Sequence, residues 1–182
     1  MSVTHEACVM VVFGADGDLT KRKLIPSLYN LAASRHLPKE FAVVGLARTP
    51  LSTDEFRAKL TRDIKDFATV PVDPSLWKWF SERLYYVTGD FRDPHAYRTL
   101  QETLLQVDAR HGTEGSYMFY LATAPSFFAE IVRQLSIQGL TSEHNGCWRR
   151  VVIEKPFGHD LASARALNRE LQQTLSEGQI YR

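Results

Sequence analysis

The sequence predicts an α/β fold with a doubly wound, mainly parallel sheet and helices on both faces. Three observations carry this. Strand-like and helix-like segments alternate along the whole chain, which requires crossover connections between parallel strands. The strand-like segments are continuous apolar runs, such as ACVMVVF over 7–13 and FAVVGL over 41–46; such runs mark strands covered on both faces. The first run breaks at Gly14 and passes through Gly14-Ala15-Asp16-Gly17-Asp18-Leu19 straight into a helical pattern. That junction reads as the dinucleotide-binding opening of a Rossmann-type unit, the other reading being a strand–helix turn that needs glycine for steric reasons.

The elements follow in order. After the first strand, Leu24, Leu28 and Leu31 recur at helical spacing over 19–34, with Pro26 expected in the first turn of the regular helix. The second strand is 41–46. Residues 52–67 form a helix, with Ser52 and Glu55 at capping-box spacing. Asp73-Pro74 caps a short helix carrying Trp77, Trp79 and Phe80, read as core packing. LYYVT over 84–88 is the third strand, and Asp93-Pro94 opens a helix to about Arg110. YMFYL over 117–121 is the fourth strand, followed by a helix over 126–138 that ends at Gly139. Residues 151–153 lie in a fifth strand, Asp160 caps a helix to about Ser176, and 179–182 begin another strand. A chain that stops as a strand starts is expected to be part of a longer protein.

Composition narrows the function. The chain has 182 residues and 20.7 kDa, is 44% hydrophobic and 24% charged, and carries a formal net charge of +1. This reads as one globular domain over 1–182. There is no basic excess for nucleic acid and no apolar stretch long enough for a membrane span. Cys8 and Cys147 form neither a disulfide framework nor a zinc pattern. No metal site is expected, and a reduced, cytoplasmic setting fits. The N-terminus, with His5 and Glu6 before a short apolar run, does not read as a signal peptide.

The first loop reads as a phosphate cradle. Gly14 permits the tight turn, Gly17 permits close approach, and Lys21, Arg22 or Lys23 adds charge near a pyrophosphate. The spacing is G-x-x-G-D-L, neither G-x-G-x-x-G nor a Walker loop. The end of the second strand, Gly45-Leu46-Ala47-Arg48-Thr49, has no acidic residue to accept from a ribose diol, and Arg48 stands just beyond it. A guanidinium there suits a 2′-phosphate, so NADP is expected, with NAD as the alternative.

Four motifs resemble one family. Gly14 through Leu31 (GADGDLTKRKLIPSLYNL), Val44 through Arg48 (VGLAR), Phe119 through Phe128 (FYLATAPSFF) and Val152 through Gly158 (VIEKPFG) are similar to glucose-6-phosphate dehydrogenases, in the same order. The resemblance covers essentially the whole chain. It implies the coenzyme domain of a cytoplasmic enzyme of the oxidative pentose phosphate pathway. That enzyme oxidises glucose 6-phosphate to 6-phosphogluconolactone and passes hydride to NADP or NAD. It implies a homodimer or homotetramer, and a β+α domain after this one.

By motif match, Gly14, Ala15, Asp16, Gly17, Asp18, Leu19, Thr20 and Lys21 hold the pyrophosphate, and Arg48 holds the 2′-phosphate. Lys155 contacts both coenzyme and sugar phosphate, with Glu154 as its structural partner. Pro156 follows a cis peptide. Phe128 and Pro125 line the pocket floor near the nicotinamide, with helix packing as the other reading of both. Two departures stand out. Asp16 replaces the Ser or Thr of many members, placing an anion beside the coenzyme phosphates. The catalytic stretch Arg-Ile-Asp-His-Tyr-Leu-Gly-Lys-Glu would begin at Arg182, so the base histidine is expected beyond this chain. His5, His36, His95, His111, His144 and His159 all read as surface residues. Two other readings remain open: a domain of the glucose–fructose oxidoreductase type, and a non-catalytic NADP-binding sensor module.

Overall fold

The computed structural model describes residues 6–155, 157–158 and 160–182. The strands are β1 (Cys8–Phe13), β2 (Phe41–Ala47), β3 (Leu84–Thr88), β4 (Tyr117–Leu121), β5 (Arg149–Ile153) and β6 (Ile180–Tyr181). The α-helices are α1 (Ile25–Ala33), α2 (Thr53–Phe67), α3 (Pro74–Ser81), α4 (Pro94–His111), α5 (Phe128–Ile137) and α6 (Leu161–Gln172). The strands form one sheet in the order β3-β2-β1-β4-β5-β6, and every pairing is parallel. The order reverses between β1 and β4, as in a doubly wound Rossmann sheet, and ligands of such sheets bind beyond the strand C-termini at that point.

The central strand shows why the apolar runs are continuous. Along β1, Val9, Val11 and Phe13 enter a core with Tyr97, Leu100 and Leu104 of α4, Ile131 and Leu135 of α5, and Leu171 of α6. The alternate residues Cys8, Met10 and Val12 enter a second core with Ile25 and Tyr29 of α1, Phe56, Leu60 and Ile64 of α2, and Trp77 and Phe80 of α3. Side chains alternate along a strand, so a strand sandwiched between two helical layers has no face left for polar residues. Phe13 is fully buried and stacks on Tyr97 at 6.1 Å; burying such a ring contributes about 2–3 kcal/mol. The second core is built around Tyr29, whose ring meets Trp77 at 5.8 Å and Phe80 at 6.3 Å. Trp79 packs against its outer edge, partly buried.

The capping signals are realised. Ser52 Oγ accepts from the Glu55 N–H at 3.2 Å, and Glu55 Oε2 accepts from the Ser52 N–H at 2.7 Å. Asp73 accepts from Leu76 N–H, Asp93 from His95 N–H and Asp160 from Ser163 N–H. Three boundaries differ from the sequence reading. The helix expected over 19–34 opens with a π-helical turn, Thr20–Leu24, where the Ile25 N–H reaches Thr20 O. In α-register the Pro26 ring would strike the carbonyl of Arg22; the widened turn lets Pro26 sit in the first turn of α1. The helix expected from Ser126 begins with a 3₁₀ turn, Pro125–Phe127. The last helix stops at Gln172 because Ser176 and Gln179 close their own capping box on a 3₁₀ turn, Glu177–Gln179.

One contact joins the first loop to the sheet. A methyl built on Gly45 of β2 would lie 2.5 Å from the Ala15 Cβ, 3.2 Å from Phe56 and 3.3 Å from Tyr86. Gly45→Ala is therefore expected to destabilise the chain by about 1–3 kcal/mol. Gly178→Ala meets nothing within 4 Å and should stay within about 0.5 kcal/mol of the parent. Urea unfolding midpoints of the two variants check this.

Candidate functional site

A crevice of about 250 Å³ opens where the sheet order reverses, lined by Gly14, Asp16, Gly17, Ala47, Arg48, Phe91, Ala122, Thr123, Ala124 and Phe127. These residues sit at or just beyond the C-terminal ends of β1, β2 and β4 and in the loop after β3. The floor is backbone. Gly14 turns at φ +84°, and a Cβ there would lie 2.3 Å from Ala122 O, so only glycine brings these two loops together. The Gly14 N–H donates to Leu46 O at 2.9 Å, and the Ala122 N–H donates to Phe13 O at 3.0 Å. The helical backbone starts at Asp18, so the N–H groups of its first turn have no intrahelical acceptor and suit an anion.

The loop residues divide by role. Gly14, Asp16 and Gly17 face the crevice. Ala15, 3% exposed, and Thr20, 1% exposed, are buried; the Thr20 hydroxyl donates to Gly14 O at 3.4 Å and braces the turn from behind. Leu19 is half-buried. Lys21 Nζ lies 3.0 Å from Asp18 Oδ1 and Arg22 Nε lies 3.3 Å from Asp18 Oδ2. The Lys21 hydrogen bond, first among several causes, lowers the pKa of the Asp18 carboxyl. The Arg22 guanidinium also stacks on Phe67 at 4.9 Å. The basic cluster thus arrives partly neutralised by Asp18.

Arg48 is exposed and lines the crevice beside Asp16. A relay anchors that carboxylate. Thr49 Oγ1 donates to Asp16 Oδ2 at 2.5 Å, and the Tyr86 hydroxyl donates to Thr49 O at 2.9 Å. Burial, followed by the field of Asp16, pushes the Tyr86 hydroxyl up to about 12. Lys59 Nζ adds a contact to Asp16 O at 3.4 Å. An acid thus stands at the exit of β2 after all, supplied by the β1 loop and tied there by Thr49. Sequence reasoning found Asp16 and Arg48 but missed Thr49 and Tyr86. The adjacency of Thr49 to Arg48 was the only local signal.

Two expectations are corrected. Phe128 is 1% exposed and packs in the core beneath α5, whereas Phe127 lines the crevice. The 3₁₀ turn before α5 causes this exchange by setting which of the two rings faces inward. Phe127 meets Phe91 edge-on at 5.3 Å, with the Arg92 guanidinium 5.2 Å from its ring centre. Glu154 finds its partner in Tyr120, whose hydroxyl donates to Glu154 Oε1, rather than in Lys155. Burial, then this hydrogen bond to the carboxylate, pushes the Tyr120 hydroxyl well above the usual phenol range. Lys155 is exposed just past β5 and does not line the crevice. The expected cis peptide at Pro156 lies outside the described residues, as do His5 and His159.

None of the described histidines lines the crevice. His111, bonded to the Tyr85 hydroxyl at 2.8 Å, lies at the far end of α4. Among the described residues no group of three or more His, Cys, Asp or Glu is arranged to hold a metal. Among the described residues no helix is long and apolar enough to cross a membrane.

Comparison with known proteins gives one family. Residues 11–182 match the family described as "Glucose-6-phosphate dehydrogenase, NAD binding domain". Glucose-6-phosphate 1-dehydrogenase of Chlamydia muridarum is 40% identical over 179 residues, covering 96% of this chain and 35% of that protein. The Bacillus subtilis enzyme is 42% identical over 174 residues, covering 96% and 34%. A solved glucose-6-phosphate dehydrogenase in complex with its substrate glucose-6-phosphate superposes with a TM-score of 0.82 at 30% identity, covering 96% of this chain and 36% of that one. The chain spans about a third of the length of the curated relatives it matches.

The relay also gives the chain an alkaline signature. Tyr86 binds its proton more tightly in the fold, with a pKa of about 12 against an ordinary 10. Its contribution is full below pH 10 and is lost as pH rises from 10 towards 12. Between pH 9 and pH 11.5 the parent should lose about 1–2 kcal/mol more stability than Tyr86→Phe. Urea titrations of both proteins at the two pH values read the difference.

Proposed function

The chain belongs to the glucose-6-phosphate dehydrogenase family as its NAD-binding domain, and from that premise we propose that its crevice takes NADP, with NAD as the weaker alternative. The observation that carries this is the pairing of a backbone phosphate cradle at Gly14 and Gly17 with an exposed guanidinium, Arg48, in one crevice at the sheet's reversal point. A Cβ on Gly14 would fill the cradle, as expected where backbone must approach a pyrophosphate. The first helical turn beyond Asp18 offers its N–H groups to that pyrophosphate. Arg48 pairs the 2′-phosphate as a charge-assisted partner. Phe91 and Phe127 present an apolar wall that excludes water from one side.

The full-length protein, on this reading, oxidises D-glucose 6-phosphate to 6-phosphogluconolactone in the cytoplasm, the first step of the oxidative pentose phosphate pathway, as a homodimer or homotetramer. The bound nicotinamide supplies the hydride acceptor. This chain's own part is to hold and orient the coenzyme. Lys155, beyond β5 on the same edge of the sheet, orients the sugar phosphate. The Tyr120–Glu154 hydrogen bond fixes the start of its loop. No described histidine lines the crevice to take the hydroxyl proton.

Asp16 tempers coenzyme choice. Its carboxylate, held by Thr49 beside Arg48, repels a 2′-phosphate and can accept from a ribose hydroxyl. Calorimetric titration with NADP⁺ and NAD⁺ tests the coenzyme reading. Arg48→Ala should weaken NADP⁺ by about tenfold or more and leave NAD⁺ within a factor of about two. Asp16→Thr should tighten NADP⁺ about threefold to tenfold. Binding of neither dinucleotide overturns the coenzyme reading. Binding of both with no response to Arg48→Ala removes the 2′-phosphate role alone.

A further inference from the structure

At the opposite edge of the sheet lies a larger groove, of about 720 Å³, lined by Ala32, Arg35, Leu37, Lys39, Leu76, Trp79 and Arg83. It is bounded by the C-terminal end of α1, the approach to β2, the face of α3 and the approach to β3. It therefore sits at the N-terminal ends of β2 and β3, about 20 Å along the strands from the coenzyme crevice. Its volume falls within the range of small-molecule sites.

Charge and shape in the groove are ordered. Leu37, Leu76 and the Trp79 indole make an apolar wall. The Arg83 guanidinium carbon sits over that indole, 4.2 Å from the ring centre, and its NH1 group donates to Trp79 O at 2.9 Å. These two contacts hold the guanidinium against the ring. Its Nε is buried and has no hydrogen-bond partner. Arg35 and Lys39 flank it, exposed. Arg35 sits at φ +59°, just past α1, a position where glycine is the easy residue. Glu40 and Glu82 contribute negative field at Arg83. Among the described residues, however, none of the three cations is held in an ion pair. Three cations outside any such ion pair, with Glu40 and Glu82 moderating the field at Arg83, stand around one apolar wall and suit an anionic ligand with an apolar body.

We propose that this groove is a second binding site, for a small organic anion with a flat apolar body: the head, phosphate or carboxylate, between Arg35, Lys39 and Arg83, and the body along Trp79, Leu76 and Leu37. The guanidinium already ordered on the indole lowers the cost of binding, because its rotamers are not lost a second time. This site needs no coenzyme and stands independently of the crevice.

1-Naphthyl phosphate is a suitable probe, titrated into ¹⁵N-labelled chain and followed by NMR. The expected result is saturable shifts at the Trp79 indole N–H and the amides of Leu37 and Arg83. The affinity should be at least about tenfold stronger than for 1-naphthol or inorganic phosphate alone. It should also fall about tenfold in Arg83→Gln and in the exposed double variant Arg35→Gln/Lys39→Gln, which leaves the core untouched. Shifts confined to the 14–18 loop, equal binding of neutral 1-naphthol, or no response to the double variant overturns the proposal. Loss of the shifts in the full-length protein overturns it as a site of the enzyme.

Discussion

The crevice at the sheet's reversal point rests on one steric constraint: backbone must touch backbone at the end of β1. Gly14 approaches Ala122 O so closely that a single carbon would fill the space. The same loop presses Ala15 against Gly45 in the middle of β2. These contacts draw the exits of β1, β2 and β4 to one point. The reversal of strand order leaves a gap there between helices on opposite faces. The crevice is thus a consequence of topology, and the glycines decide how deep it is.

The two cores support that geometry from opposite sides. α1 to α3 hold the even residues of β1, and α4 to α6 hold the odd ones. A shift of one residue in register would exchange the two sets, and the mismatch in side-chain size would then be felt across the whole sheet. That fixes the level at which each strand ends, and so the level at which Gly14, Ala47 and Ala122 meet. Polar anchoring is superimposed on this frame: Tyr86 to Thr49 to Asp16 on one side, and Tyr120 to Glu154 on the other.

Most of the fold was legible in the sequence because its signals are local. Apolar runs locate β1 to β4 and the last three residues of β5, which opens with two arginines, and Ser52, Asp73, Asp93 and Asp160 mark helix starts through bonds spanning two or three residues. The site was legible where it is backbone, at Gly14 and Gly17, and where a residue sits next to a strand end, as Arg48 does. It was not legible where partners are far apart in sequence. Thr49 and Asp16 are 33 residues apart, and Tyr120 and Glu154 are 34. The exchange of Phe127 for Phe128 has another origin. Both rings stand in one apolar pair, and only the pitch of the 3₁₀ turn decides which faces the crevice.

The widened turn at Thr20–Leu24 has a meaning of its own for how this helix serves two ends. One residue is about 100° of rotation around a helix axis. The extra residue therefore resets the phase between the segment that faces the crevice and the segment that packs on the sheet. At the first residue of the turn, Thr20 points inward to brace Gly14. Downstream, Ile25, Leu28 and Tyr29 meet the core. Pro26, which forbids the ordinary register, acts as the pin that keeps the two halves out of phase. The ligand end can thus be oriented without turning the helix that carries it, and the core can be repacked without swinging the cradle.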